Sequence, residues 1–393
     1  MELKFTPHPL IEAPTDEEIV LLGESDPQAL QELHRVREGL IRASQEDPLR
    51  HGFDLEGWGR IRRALNAYNE VLALGGNRSG KTTGCAKLVM EAVTNNVEGH
   101  IVCFSQNADT SVKVQQAAVW EMMPKEFKKK TKSIEGYINF SMQNGFTGSS
   151  FLFPDTRTRV DFKTYTQFSN NQTILEGFEF GFKGDPELNI GAWLDEYLGD
   201  SQLVNTLRFR LATRNSKMLL GFTPIDGFTP FVAEYQKNAR TLITKPAELM
   251  DNREVPIVQY APHRDAGVIY LHSDENPFGG YERIKKDLIG RPDEEIMVRA
   301  YGIPVKSITS LLPLFSTEVQ VLGDEPNSEG WTFPDISGDD FTSYQVVDPA
   351  GARNFSAIWA SVNAEGEVYI RKEFPERSQY GEWALFGEKW KYG

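Results

Sequence analysis

Apolar positions change period several times along this chain of 393 residues, and each change marks an element. Leu30, Leu33, Val36, Leu40 and Ile41 recur at helical spacing and predict an amphipathic helix over 27–46. A second helix, around 58–69, leads into the uninterrupted apolar run Val71-Leu72-Ala73-Leu74. The run stops at Gly75-Gly76, and a helical pattern resumes from Lys81 to Val93. A strand is expected at His100–Ser105 and a helix at Ser111–Met123. From 136 to 172 the chain is rich in Phe, Thr and Gly, and its alternating apolar positions predict short strands at 151–153 and 160–165. Ile190–Leu194 reads as a buried strand ending at Asp195-Glu196. A helix over 203–211 follows, and then a strand, Lys217–Phe222, ending at Thr223-Pro224. Further on lie a helix at 230–239, strands at 256–260 and 267–271, a turn at 276–280 and a helix at 281–289. Apolar strands alternating with helices predict an α/β fold: a mostly parallel sheet with helices on both faces.

Composition narrows the class. A hydrophobic share of 40% and a charged share of 25% are those of a globular chain with a core. No stretch reaches the roughly 20 apolar residues of a membrane span, and the N-terminus lacks the pattern of a secretory signal. Cys85 and Cys103 are the only cysteines, too few for a disulfide framework or a four-thiolate zinc site, which suits a reducing compartment. The net charge of −14 argues against a protein that merely coats DNA. It leaves room for a local basic patch, and the lysine-rich run 125–132 is either that or a solvated helix end.

The strongest chemical signature is Gly75-Gly76-Asn77-Arg78-Ser79-Gly80-Lys81-Thr82, a full G-x-x-x-x-G-K-[ST] loop between a strand and a helix. Its glycines let backbone N–H groups turn onto phosphates, Lys81 adds a point charge, and the Thr82 hydroxyl is expected to ligate Mg²⁺. ATP is the expected nucleotide. Arg78 either assists the terminal phosphate or makes a surface salt bridge. Such a loop needs a second strand ending in an acid. Ala192-Trp193-Leu194-Asp195-Glu196 supplies two, Asp195 on the magnesium side and Glu196 as the base that polarises water. The strand ending at Thr223 is expected between these two strands, with its polar end near the terminal phosphate. The fold class expected is therefore a P-loop NTPase of the additional-strand, catalytic-glutamate type.

With GGNRSGKT at 75–82, AWLDE at 192–196 and LLGFTP at 219–224, followed by DENP at 274–277, RAYG at 299–302 and LLPLF at 311–315, the chain resembles the large subunit of tailed-phage terminases over residues 50–360. The resemblance implies an ATPase that moves double-stranded DNA into a procapsid. It implies work as a homo-oligomeric ring on the portal protein, beside a small terminase subunit, in the host cell cytoplasm and not at a membrane. Members commonly carry an Arg-Gly pair before the acidic strand, whose arginine acts on the neighbouring subunit's ATP. Lys183-Gly184 stands there in this chain, and Arg208, Arg210 and Arg214 are alternatives. No upstream glutamine for adenine is evident; Trp58 or Arg60 could take its place. A helicase-like remodeller on the same motor core is the other reading.

The resemblance also implies a C-terminal nuclease of RNase H-like fold. Residues 344–347 read as a strand running into Asp348, with antiparallel strands at 355–362 and 368–374. Asp348 would be the first ligand of a second divalent-metal site. The carboxylates after it, from Glu365 to Glu388, stand in no ligand-like context, so this chain is expected to cut DNA poorly or not at all. The organisation expected is an N-terminal helical segment over 1–50 and an ATPase domain over 51–322, with a lid-like part at about 230–310. A Gly-, Pro-, Ser- and Asp-rich linker over 323–343 and a partial nuclease domain over 344–393 complete it. His263-Arg264-Asp265 lacks the partners of a kinase catalytic loop and is read as coincidence. The phenylalanines of 140–182 are read as core and not as base-stacking platforms.

Overall fold

Every residue of Glu70–Gly75, Ile190–Asp195 and Ala266–Leu271 is buried. A strand that is apolar throughout must be covered on both faces. The computed structural model describes residues 4–129, 137–184, 186–196, 201–225, 229–305, 332, 334–335, 340–348 and 356–374. The chain divides into two units, Met1–Pro313 and Leu314–Gly393.

The first unit is built on a nine-stranded sheet. In chain order its strands are β1 (Glu70–Gly75), β2 (His100–Ser105), β3 (Ser150–Leu152), β4 (Arg159–Thr164), β5 (Ile190–Asp195), β6 (Lys217–Phe222), β7 (Arg240–Ala247), β8 (Arg253–Ala261) and β9 (Ala266–Leu271). They lie side by side as β7-β8-β9-β1-β6-β5-β2-β4-β3. From β9 to β4 all neighbours are parallel, whereas β3, β7 and β8 join antiparallel at the two edges.

Alternate residues of the parallel strands feed two cores, as the period of two requires. Val71, Ala73, Ile101, Cys103, Trp193 and Leu219 pack with Ile61 and Leu65 of the helix Glu56–Ala67 and with the helix Lys81–Asn95. Leu72, Leu74, Val102, Phe104, Leu194 and Leu220 pack on the other face against the helices Ser201–Ala212 and Pro230–Gln236. The mostly parallel sheet with helices on both faces is thus present as expected.

Several details depart from the sequence reading. A helix at Asp16–Ser25, opened by a capping box between Thr15 and Glu18, precedes Pro27–Glu46 without a clear apolar stripe to announce it. Of the five apolar residues that predict the helix over 27–46, only Leu30 and Ile41 are buried. The span expected as a lid-like part contributes β7, β8 and β9 to the sheet, and β9 lies directly beside β1. Strand β7 is absent from the sequence reading because it is an edge strand whose residues are mostly exposed, so no burial pattern is imprinted on it. The helix Asp293–Tyr301 is a further addition. Phe146, Phe151, Phe162, Phe168, Phe180 and Phe182 are buried in the cores, as the alternation implies. In the lysine run, Lys125 pairs with Glu46 at 2.8 Å and Lys128 lies over the Trp120 ring; residues 130–132 fall outside the described set.

The second unit holds a three-stranded antiparallel sheet, β10 (Thr342–Asp348), β11 (Ser356–Val362) and β12 (Val368–Phe374), in that order. Most of the linker 323–343 lies outside the described residues.

At the N-terminal end of β1 a partly buried cluster ties two helices to the sheet. Glu70 accepts from Arg208 Nε at 2.5 Å and Nη2 at 2.9 Å, and from the Tyr235 hydroxyl at 2.6 Å. Removing one partner of a buried ion pair strands the other. Arg208→Ala is expected to destabilise the fold by about 1–2 kcal/mol, read as a lower urea midpoint; an unchanged midpoint would show that the cluster anchors nothing.

Candidate phosphate-binding site

Between β1 and the helix Lys81–Asn95 the chain turns back through a loop whose conformation is imposed from outside. Three loop carbonyls are held by side chains from other segments. Asn77 O accepts from Ser273 Oγ at 2.7 Å, Arg78 O from Asn276 Nδ2 at 2.7 Å, and Gly80 O from Trp58 Nε1 at 3.1 Å. A trans peptide is planar, so the next residue's N–H points opposite to a fixed carbonyl. The amides of Arg78, Ser79 and Lys81 are thereby aimed away from the clamps; that of Ser79 donates to Gly76 O at 3.3 Å within the loop, which leaves those of Arg78 and Lys81 for an anion. Gly80, at φ +81°, caps the helix without a side-chain hydrogen bond, so the helix keeps its N-terminal N–H groups for a ligand.

The flanks of the loop are tied down too. Gly76 N–H donates to Leu271 O at 3.0 Å, and Asn77 N–H to Arg299 O at 2.5 Å. Gly302, at φ +66°, lies so close that a Cβ there would sit 2.7 Å from the Gly75 carbonyl carbon. The stretches DENP and RAYG therefore brace the phosphate loop. Sequence spacing does not reveal this role for Ser273, Asn276, Trp58 and Gly302, because their partners lie far off along the chain: Asn276 is 198 residues from Arg78.

The acids arrive by strand order. β6 separates β1 from β5, the additional strand expected, and brings the ends of all three to one edge. Asp195 is buried, with its Oδ1 3.5 Å from the Thr82 hydroxyl, and its Oδ2 is buried with no hydrogen-bond partner. Burial pushes its carboxyl up to about 7; the Lys81 ammonium opposes this and the neighbouring Glu196 charge adds to it. A buried carboxylate with a bare oxygen beside a hydroxyl fits a divalent cation.

Glu196 adopts φ +53°. Its N–H donates to Gly221 O at 2.8 Å, and the Tyr165 hydroxyl lies 3.1 Å from the carbonyl oxygens of both Asp195 and Glu196. Tyr165 is a second support that sequence reading does not find. The Glu196 carboxylate pairs through Oε1 with Lys81 Nζ, while Oε2 is 3.4 Å from the Thr223 N–H. It is the main chain of Thr223, not its hydroxyl, that reaches the acid. Loop residues 76–83 line one open pocket together with Glu196 and Thr223.

The chain is similar in structure to phage large terminases. A structure of the large terminase from a thermophilic bacteriophage aligns with 13% identity over 81% of this chain and 68% of that one, at a TM-score of 0.46. The large terminase of the same phage in complex with ADP gives 12% identity, 86% and 74% coverage and a TM-score of 0.41. The large terminase ATPase domain of Thermus phage P74-26 gives 14% identity, 62% and 94% coverage and a TM-score of 0.38. No protein-family model matches the sequence, and no curated protein does.

The basic candidates for a trans-acting finger do not gather at this chain's own loop. Arg208 is committed to Glu70. Arg214 donates to Gly181 O at 2.9 Å and pairs with Glu179 at 3.5 Å. Lys183 is exposed and follows Gly181, which bridges to His100 at the start of β2. Arg210 makes no ion pair among the described residues, and its carbonyl accepts from Phe180 N–H at 3.5 Å. Lys183 and Arg210 thus stand near the strand starts, whereas Gly75 and Asp195 are at the strand ends. The adenine candidates are engaged elsewhere: Trp58 in its clamp, and Arg60, buried, with Glu275 and with Tyr270 O at 3.3 Å. Arg78 is exposed and makes no ion pair among the described residues. Asp348 ends β10. Among the described residues no three His, Cys, Asp or Glu side chains converge on a metal-sized site, and no helix is long and apolar enough to cross a membrane.

The raised carboxyl of Asp195 has a thermodynamic consequence. Its unfolded value is near 3.8 and its folded value about 7, so the fold favours the protonated acid, and this stabilisation is lost as pH rises through 7. Asp195→Asn removes the ionisation penalty. The melting temperature is expected to rise at pH 8 and to change less at pH 4; equal shifts at both would show that Lys81 fully compensates the charge.

Proposed function

We propose that the chain is the ATP-hydrolysing motor subunit of a viral DNA-packaging terminase. The observation that carries the hydrolytic part is the convergence of Lys81, Thr82, Asp195 and Glu196 at the mouth of the glycine-rich loop. Lys81 and the N-terminal amides of the helix Lys81–Asn95 bind and orient the β- and γ-phosphates of ATP. In the free protein Lys81 is paired with Glu196. A bound triphosphate offers Lys81 phosphate oxygens in exchange, which releases the Glu196 carboxylate to take a proton from the attacking water. Thr223 N–H and Tyr165 keep that carboxylate and its backbone aimed at the terminal phosphate. Thr82 and Asp195 would hold the magnesium of Mg-ATP, Asp195 directly or through water. When bound, that ion supplies positive charge to the phosphate oxygens.

The packaging role rests on the sequence resemblance carried by GGNRSGKT, AWLDE, LLGFTP, DENP and RAYG. On that reading the substrate polymer is double-stranded DNA, and the partners are a portal protein on a procapsid, a small terminase subunit and further copies of this chain in a ring, in the host cytoplasm. Lys183 or Arg210 then acts on a neighbouring subunit's nucleotide. Asp348, at the end of the first strand of the C-terminal sheet, is the candidate first ligand of a nuclease metal site. The domain limits proposed are those read from the sequence, with 229–305 contributing sheet as well as cover.

Steady-state ATPase assays of the purified chain with and without double-stranded DNA test the proposal. Glu196→Gln is expected to lower kcat by about 10²–10⁴-fold while ATP binding is retained. Full turnover in that variant would overturn the assignment of the base.

A further inference from the structure

We propose that Phe278, with Phe53 and His8, forms the platform on which the base of the bound nucleotide stacks, a subsite that deepens the ATPase reading and rests on it. Sheet order gives the direction. The terminal phosphate faces Glu196 and Thr223, which follow β5 and β6 on one side of β1. The nucleoside end therefore leaves the loop on the other side of β1, where β9 ends and the segment 272–280 begins. That segment is fixed against the rim of the loop: Asn276 holds Arg78 O at 2.7 Å, and a Cβ on Gly279 would lie 2.6 Å from the same oxygen. A Cβ on Gly80 would meet Asn276 Nδ2 at 3.4 Å and Leu55 Cδ1 at 3.3 Å.

Two residues from each of these contacts stands an aromatic ring, Phe278 after Asn276 and Phe53 before Leu55. A third comes from the N-terminal segment. His8 lies 4.8 Å from Phe53 and 5.7 Å from Phe278, and the two phenylalanines are 6.5 Å apart, centroid to centroid. Phe278 is 52% exposed, an apolar ring left in water at the rim of a polar site. A flat apolar face there suits a nucleobase, which stacks on aromatic side chains. Trp58 and Arg60 are held in other contacts.

The test compares ATP with inorganic tripolyphosphate, which has the phosphates and no base, by calorimetric titration of the full chain. Phe278→Ala is expected to weaken ATP about tenfold and to leave tripolyphosphate within about twofold, and Phe278→Trp to restore ATP binding. An unchanged ATP affinity, or equal weakening of both ligands, overturns the platform. Lys81→Ala separates the two readings, since it should weaken both ligands; if it weakens neither, the phosphate site itself is wrong. A melting curve for Phe278→Ala that matches the wild type excludes a folding defect, as its exposure leads one to expect.

Discussion

The chemistry of this protein depends on the orientation of a few peptide planes. A loop of glycines and small polar residues has no conformation of its own. Here its carbonyls are drawn outward by Ser273, Asn276 and Trp58, and the amides of Arg78 and Lys81 must then point the other way. Each clamp is a neutral hydrogen bond of ordinary strength, about 1 kcal/mol net. Three of them, acting on the planes that follow Asn77, Arg78 and Gly80, decide which way the amides of those planes face. An anion binds only to donors.

The second constraint is the neighbour order of the strands. Because β6 lies between β1 and β5, the loop, Thr223 and the acidic pair end at one edge, and the terminal group of any ligand has one side on which to react. Asp195 accepts deep burial there with one oxygen unmatched, a cost that a bound cation would remove. Glu196 is held differently: it stays partly open to solvent, and its positive φ turns its side chain back across the strand end toward Lys81. Two adjacent carboxylates thus acquire different environments and different work.

Much of this is legible in the sequence because strands buried on both faces leave continuous apolar runs, and because phosphate chemistry needs a fixed order of small and charged residues. Lys81, Thr82, Asp195, Glu196 and Thr223 are readable for that reason, as is the sheet they end. The supports are not. Tyr165, Ser273 and Asn276 act through main-chain atoms of distant segments, and a hydrogen bond to a carbonyl asks little of the residue that owns the carbonyl. Strand β7 is invisible because an exposed edge carries no apolar alternation. The basic residues Lys183 and Arg210 match a spacing, yet a position beside the acidic strand in sequence turns out to be its opposite end in space.

The bracing of the loop by residues 273–302 also bears on the order in which the protein becomes competent. Synthesis runs from the N-terminus, so residues 75–82 emerge long before the segments that shape them. Until Gly302 has left the ribosome, the loop can follow β1 but cannot present its donors. The nascent chain is therefore blind to nucleotide until residues 273–302 have emerged and packed on the loop.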